Sequence, residues 1–356
     1  MAEVDWSEPF HSEYRFMRVS RSSGAETARL AGFLDGGSIE RNAGTQVKEK
    51  GSVVHSGPLD VGADLVRVYL DATGMYTGWS VSVPLGTFLP STISRDVDGA
   101  VSTCKVELTG RLGELAQDQF ERPVSVPSGA DPVAKAAEIA RSAGLDVIAD
   151  ASTYRLSTAW TFGLDNEDGE SKLDAVNDLL EIAGFSSATT DPMGRVLMRR
   201  YVPPGEREPV HFFREGRDAR FLRPMTDERD ASDVANVVVV VYSDQESTVV
   251  GTAVDSDPRS PYSTVSMGRR IVARYEYSDV ATQQEADAKA AELLRTNQSV
   301  IRRVTFTHVY APLTIGDVVS MDYATGGVRE TLSIRTQSVD LAAGCPVKCE
   351  GRSYGR

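Results

Sequence analysis

The sequence is poor in the residues that most often mark chemistry. Its 356 residues include three cysteines, Cys104, Cys345 and Cys349. So few, and an odd number, supports no disulfide framework and fits a chain made in a reducing cytoplasm. The four histidines, His11, His55, His211 and His308, lie far apart and form no H-E-x-x-H or His-x-x-x-His pair. No stretch approaches the roughly 18–20 apolar residues of a spanning helix, which excludes membrane insertion by that route. The first residues are acidic and lack an apolar h-region, so the chain reads as one without a secretory signal. Basic charge is short as well: 51 Asp and Glu outweigh 38 Lys and Arg, giving a formal net charge of −13. A surface that negative repels phosphates and argues against a protein that grips nucleic acid or an anionic membrane. Lysine is the scarcer base, seven residues against 31 arginines.

What is present is an ordinary globular balance, 41% hydrophobic and 25% charged, in a length that allows two to four domains. Residues 1–127 read as all-β, with strands at 13–19, 65–70, 79–85 and 101–109. Asp35-Gly36-Gly37, Ser56-Gly57-Pro58 and Asp98-Gly99 supply turns. Within 64–70 the pattern alternates: Val66, Val68 and Leu70 form a purely apolar face that should point into a core. Many short strands with frequent turns suggest a small barrel or sandwich. Pro123, Pro127, Ser128, Gly129 and Pro132 read as a linker into an α+β module at 128–205. Its first helix should start with Asp131 as N-cap and Pro132 at the first position, and stop at Gly144. A second helix fits 172–183, capped by Ser171 with Asp174 three residues on, and ends at Gly184. Leu145 and Phe185 then complete two Schellman patterns. Asp191-Pro192-Met193-Gly194 suits a type I turn before a strand at 195–201.

The third section, 206–356, is β-rich again. Five consecutive valines, 237–241, read as a strand buried on both faces. Residues 269–277 alternate, with Ile271, Ala273, Tyr275 and Tyr277 on one face. One inserted helix, 282–297, carries Thr282 as N-cap, Glu285 at N3, and Ala286, Ala290, Leu293 and Leu294 on a stripe. Strands follow at 300–310, 318–323 and 328–341, with turns at Gly316-Asp317 and Gly326-Gly327. The fold class is therefore mainly β with α+β: two small β-barrel domains separated by an α+β module, with one helix inserted in the C-terminal section.

Candidate sites reduce to ordinary structure. His308, on one face of an alternating strand with Val304, Phe306 and Tyr310, reads as a half-buried strand histidine. Cys345 and Cys349 offer two thiols where a zinc shell wants four ligands, and as i, i+4 on an extended chain they stand roughly 13 Å apart. They read as small packing residues. The loop Asp165-Asn166-Glu167-Asp168-Gly169-Glu170 has oxygen ligands but no EF-hand spacing, and reads as a solvated loop before a helix N-terminus. Asp96-Val97-Asp98-Gly99 reads as a hairpin turn. There is no G-x-S-x-G elbow, P-loop or Rossmann fingerprint. No catalytic, cofactor-binding or metal-ligating residue is assigned, and the protein reads as no enzyme.

The order of motifs in the third section carries a resemblance. Asn236-Val237-Val238-Val239-Val240-Val241-Tyr242 precedes Asp257-Pro258-Arg259-Ser260-Pro261. Met267-Gly268-Arg269-Arg270, the helix ending Leu293-Leu294, and Leu313-x-Ile315-Gly316-Asp317-Val318-Val319 follow. In the middle section, Phe162-Gly163, the 171–184 helix and a hairpin from Asp191 to Tyr201 agree as well. This order resembles the tail hub (baseplate hub, minor tail protein) family of long-tailed bacteriophages and contractile injection systems. The resemblance covers about two thirds of the chain. It implies a homotrimer in which two barrels per subunit form a pseudo-sixfold ring joining the hexameric tail tube to the tail tip. The implied partners are the distal tail or tail tube protein, the tape measure protein and other tail-tip proteins, with genome DNA only in transit. The implied location is the tail tip of a virion assembled in a bacterial cytoplasm. A bare hub is expected, without a lysozyme-like or peptidase extension. The competing readings are a tail-associated cell-wall hydrolase using an acid pair, and a tail-tip receptor- or carbohydrate-binding protein. The last would cluster exposed aromatics, whereas Trp6, Trp79 and Trp160 are scattered in sequence.

Overall fold

The N-terminal section supplies seven strands: β1 (Phe10–Val19), β2 (Glu26–Leu30), β3 (Phe33–Asn42), β4 (Glu49–Ser56), β5 (Leu65–Gly74), β6 (Ser80–Asp98) and β7 (Val101–Gly110). The computed structural model describes residues 4–98, 101–163, 170–229, 234–243, 248–260, 262–277, 282–298 and 302–353. Alternation sets the inward faces as the sequence predicts: Val66, Val68 and Leu70 of β5 are fully buried. The opposite face is not free. Leu65 and Arg67 are buried too, and the Arg67 guanidinium meets the Met193 carbonyl of the 191–194 turn.

The middle section comprises α1 (Leu112–Gln117), β8 (Val124–Val126), α2 (Pro132–Ser142), β9 (Val147–Ala149), β10 (Trp160–Phe162), α3 (Lys172–Ile182), β11 (Thr189–Thr190) and β12 (Val196–Met198). Both long helices are capped as the sequence predicts. The Asp131 carboxylate accepts from Val133 N and Ala134 N, and Ser171 with Asp174 forms a capping box. At both C-termini the next apolar residue closes a Schellman motif: Leu145 N donates to Ala140 O, and Phe185 N to Leu180 O. The proline-rich stretch read as a linker contains a strand, because β8 pairs antiparallel with β10. Leu112, Leu115 and Val126 pack with α2 and α3 in one core cluster.

The C-terminal section holds β13 (His211–Arg214), β14 (Phe221–Arg229), β15 (Val237–Ser243), β16 (Thr248–Val254), α4 (Thr264–Met267), β17 (Val272–Tyr277), α5 (Gln283–Gln298), β18 (Arg302–His308), β19 (Val318–Tyr323), β20 (Val328–Asp340) and β21 (Val347–Ser353). The valine strand β15 is the centre of a separate three-stranded sheet, between β16 and β17. Its Val238 and Val240 face α5, where Ala290 and Leu294 complete a small core. Gly251 of β16 lies directly under the helix: a Cβ there would stand 2.2 Å from the Ala286 backbone. The remaining strands join one sheet with the order β14-β18-β21-β20-β3-β4-β7-β6-β5-β1-β2, with β19 pairing β20 and β13 pairing β19. Both terminal sections thus share one sheet, and one core cluster runs from Phe10 through Phe88 to Phe306 and Cys349. The path ends on open edges at β14 and β2 and closes no barrel among the described residues. The molecule is mainly β with few helices, as the sequence predicts.

Candidate functional site

The place where all three sections meet is the seam between β3 and β20. β20 is long enough to pair with β21 on one edge and with both β19 and β3 on the other. That register sets Arg41 opposite Gln337. The Arg41 guanidinium donates to Glu49 Oε1 at 3.3 Å, to Gln337 Oε1 and to the Leu85 carbonyl. Gln337 in turn donates to the Leu313 carbonyl at 3.1 Å, and Thr190 Oγ1 of the middle module donates to Glu49 Oε2 at 2.9 Å. Burial pushes the Glu49 carboxyl upward, against the opposing pull of Arg41 and Thr190. A buried charge with fewer partners would be far costlier, so the network stands only while all three sections are docked.

The middle module is held at a second point. Arg67 donates to Thr87 Oγ1 at 2.9 Å, to Glu26 Oε1 at 2.9 Å and to the Met193 carbonyl at 3.1 Å. Thr87 Oγ1 donates to the Pro192 carbonyl at 2.9 Å. The turn predicted at 191–194 is therefore the module's docking tip. Gly194 sits at φ +85°, and a Cβ there would meet Arg111 Cδ at 2.7 Å. Glu114, buried, accepts from Arg111 Nε at 2.8 Å and Arg21 Nη2 at 2.6 Å. In the C-terminal section, Arg302 grips Asp227 with two bonds of 2.7 and 2.8 Å and Glu330 with one of 2.6 Å, which raises the Arg302 pKa. The buried Glu49 and Glu114 are thus committed to arginines.

The residues singled out in the sequence fall into this framework. His308 is fully buried at 1% exposed, which corrects the half-buried reading; its strand lies in the shared core. Its Nδ1 meets the Val309 carbonyl at 2.7 Å and its Nε2 stands 3.3 Å from Cys349 Sγ. A Cys–His contact suggests a nucleophile, but burial works against it. Desolvation lowers His308 to about 4 and raises Cys349 to about 12, so both stay neutral at pH 7. Only the register of β18 against β21 brings them together, across 41 residues of chain. All three cysteines are buried and free, in keeping with the reading of Cys345 and Cys349 as packing residues. His55 lies between the Gly57 and Ala31 carbonyls at 2.9 and 2.8 Å, while His11 is exposed beside Glu13. The acid-rich residues 165–169 and Gly99 lie outside the described residues. Among the described residues no group of three or more His, Cys, Asp or Glu is arranged to hold a metal ion. No described helix is long and apolar enough to cross a membrane.

Two of the three tryptophans come together, though not on a surface. Trp6 packs edge-on against Trp79 at 5.2 Å, Phe10 at 5.5 Å and Tyr310 at 4.9 Å. Trp6 thereby ties the N-terminal segment to the C-terminal section, and Arg220 donates to its carbonyl. Trp160 alone is exposed.

This fold, a continuous sheet shared by two β-rich sections with a capped α+β module docked at the seam, is similar to that of solved bacteriophage tail proteins. The tail protein from Neisseria meningitidis MC58 superposes with a TM-score of 0.67 at 14% identity, over 96% of this chain and 96% of that one. The 43 kDa tail protein of prophage MuSo2 from Shewanella oneidensis gives 0.65 at 12% identity, over 96% and 98%. An E. coli component of the type VI secretion system, described as structurally similar to the T4 bacteriophage tail proteins gp27 and gp5, gives 0.51 at 10% identity over 92% of this chain and 76% of that one. No family model matches the sequence, and no curated protein matches it. The resemblance read from the motif order is thus borne out at the level of the fold.

Proposed function

We propose that this protein is a structural tail hub that forms a trimeric ring between the hexameric tail tube and the tail tip and lets DNA pass during ejection. The observation that carries the reading is the match to a prophage tail protein over nearly the full length of both chains. The open sheet supports it. Phe212 and Leu222, on the edge strands β13 and β14, are more than half exposed, and open apolar edges are normally covered by a neighbour. Threefold rotation would close such contacts into a ring. In this reading residues 1–127 and 206–356 each contribute one barrel-like unit to the ring wall, and 128–205 projects from it. The partners are the tail tube or distal tail protein, the tape measure protein and other tip proteins, at the tail tip of the virion. The excess of acid keeps the lumen negative, so DNA slides through without sticking. The role is not catalytic, in line with the buried Glu49 and Glu114, both bound by arginines.

Light scattering on the purified chain, alone and mixed with its tail-tube protein, tests this. A species of three times the monomer mass is expected in at least the mixture; a persistent monomer in both overturns the ring. Clearing of a peptidoglycan suspension by the chain alone would replace the structural reading with that of a hydrolase.

A further inference from the structure

β3, β4, β18, β20 and β21 carry the walls of a cleft of about 560 Å³, and β7 continues the sheet face beside it. Cross-strand register lays out one row of side chains: Thr307, Lys348, Ser338, Glu40, Lys50 and Thr109. A second row runs Thr305, Glu350, Thr336 and Asn42. Lysine is scarce in this acidic chain, yet three of its seven lysines, Lys48, Lys50 and Lys348, line the cleft.

Pairing distinguishes these lysines from the rest. Lys105, Lys135, Lys172 and Lys289 each meet a carboxylate, and Lys50 meets Glu40. Lys48 and Lys348 meet none among the described residues. Lys48 is 8% exposed, and its ammonium donates to the Ala43 carbonyl at 3.0 Å and the Thr45 carbonyl at 2.7 Å. An ammonium has three protons to donate, so one remains. The nearby Arg335 adds positive potential at the same ammonium. A buried cation without an anion is costly, and a cleft is where one can be supplied from outside.

We propose that this seam cleft is a docking site for an acidic segment of a partner protein, with carboxylates received by Lys48 and Lys348. Charge complementarity selects the occupant. A continuous phosphate backbone laid over the rows would face Glu40, which stands between Lys348 and Lys50 in the first row, and Glu350 in the second; separate carboxylate side chains avoid them. Hydroxyls from Thr305, Thr336 and Ser338 line the same cleft and supply neutral donors between the charges. A monomeric chain carries the same cleft, so this site and the trimeric ring fail or stand separately.

The probe is a fluorescein-labelled oligoglutamate peptide, read by fluorescence anisotropy at low salt, with short single-stranded DNA as competitor. The wild-type chain is expected to bind the peptide, and added salt to release it. Lys348→Glu, at an exposed strand position, should weaken binding by about tenfold or more, and Lys48→Gln likewise. Lys105→Gln, outside the cleft, should leave it unchanged. Absence of peptide binding to the wild type, equal binding by Lys348→Glu, or tighter binding of the DNA through the same lysines would each overturn the proposal.

Discussion

Arg41 and Gln337 stand opposite each other across the β3–β20 pairing and hydrogen bond through their side chains, 296 residues apart in the chain. With Glu49, Leu85 and Thr190 they form a buried polar network that draws on all three sections. The N- and C-terminal sections therefore depend on each other through charge as well as through a shared core.

Removing the cation alone should be severe. Arg41→Met leaves the Glu49 carboxylate buried without its guanidinium, an arrangement that costs about 3–5 kcal/mol. Pairing it with Glu49→Leu should recover much of the loss, because two apolar groups need no partners. Urea unfolding of both variants measures the difference. Equal loss in the single and double variants would show that packing, not the stranded charge, sets the cost.

How much of this was legible in advance follows from sequence distance. The Asp131 and Ser171 caps, the Gly144 and Gly184 stops and the 191–194 turn are written in neighbouring residues, and each appears as read. The α5 stripe of Ala286, Ala290 and Leu294 is equally local. The seam is not. Nothing near Arg41 names Gln337, and nothing near His308 names Cys349, since both contacts arise from register between distant strands. The same cause hid the merged sheet: 328–341 reads as an ordinary strand of the third section, while 33–42 does not read as a strand, because Asp35-Gly36-Gly37 reads as a turn that the structure carries inside β3. The lysine cleft was half visible. Lysine scarcity is a property of the composition, but convergence of Lys48, Lys50 and Lys348 needs the β3–β20 pairing.

Acid should weaken the fold through His308. Its folded pKa is lowered from 6.5 to about 4 by burial, so the unfolded chain binds this proton first. The contribution to stability is complete above pH 6.5, is lost as pH falls towards 4, and levels below that, a total of about 3 kcal/mol. His211, also lowered by burial, acts in the same direction. Urea midpoints at pH 7.5, 5.5 and 4.5 should fall more steeply for the wild type than for His308→Asn. Parallel curves would remove His308 from the acid response.

The α5 contact offers a local test. Gly251 has no room for a side chain, because a Cβ would stand 2.2 Å from the Ala286 carbonyl carbon and oxygen. Gly251→Ala should push the helix off the β15–β17 sheet at a cost of about 1–3 kcal/mol. Hydrogen exchange should show loss of amide protection in α5 and β16, with β18–β21 unchanged. Loss spread evenly over all strands would mean that the small sheet and the large one unfold as a single unit.

The thiols should be silent in the folded chain. Burial raises Cys345 to about 11 and Cys349 to about 12, and Cys104 is 1% exposed. The reactive species is the thiolate, so a thiol-specific reagent at pH 8 meets almost none at Cys345 and Cys349, and burial shields Cys104. Native protein should react slowly, at the rate of global opening, and denatured protein should yield all three thiols at once. A fast native reaction confined to Cys349 would mean that the β18–β21 edge opens independently. It would also restore the Cys349–His308 pair as a candidate for thiol chemistry, because an opened edge would let solvent lower the thiol and raise the imidazole towards their ordinary values.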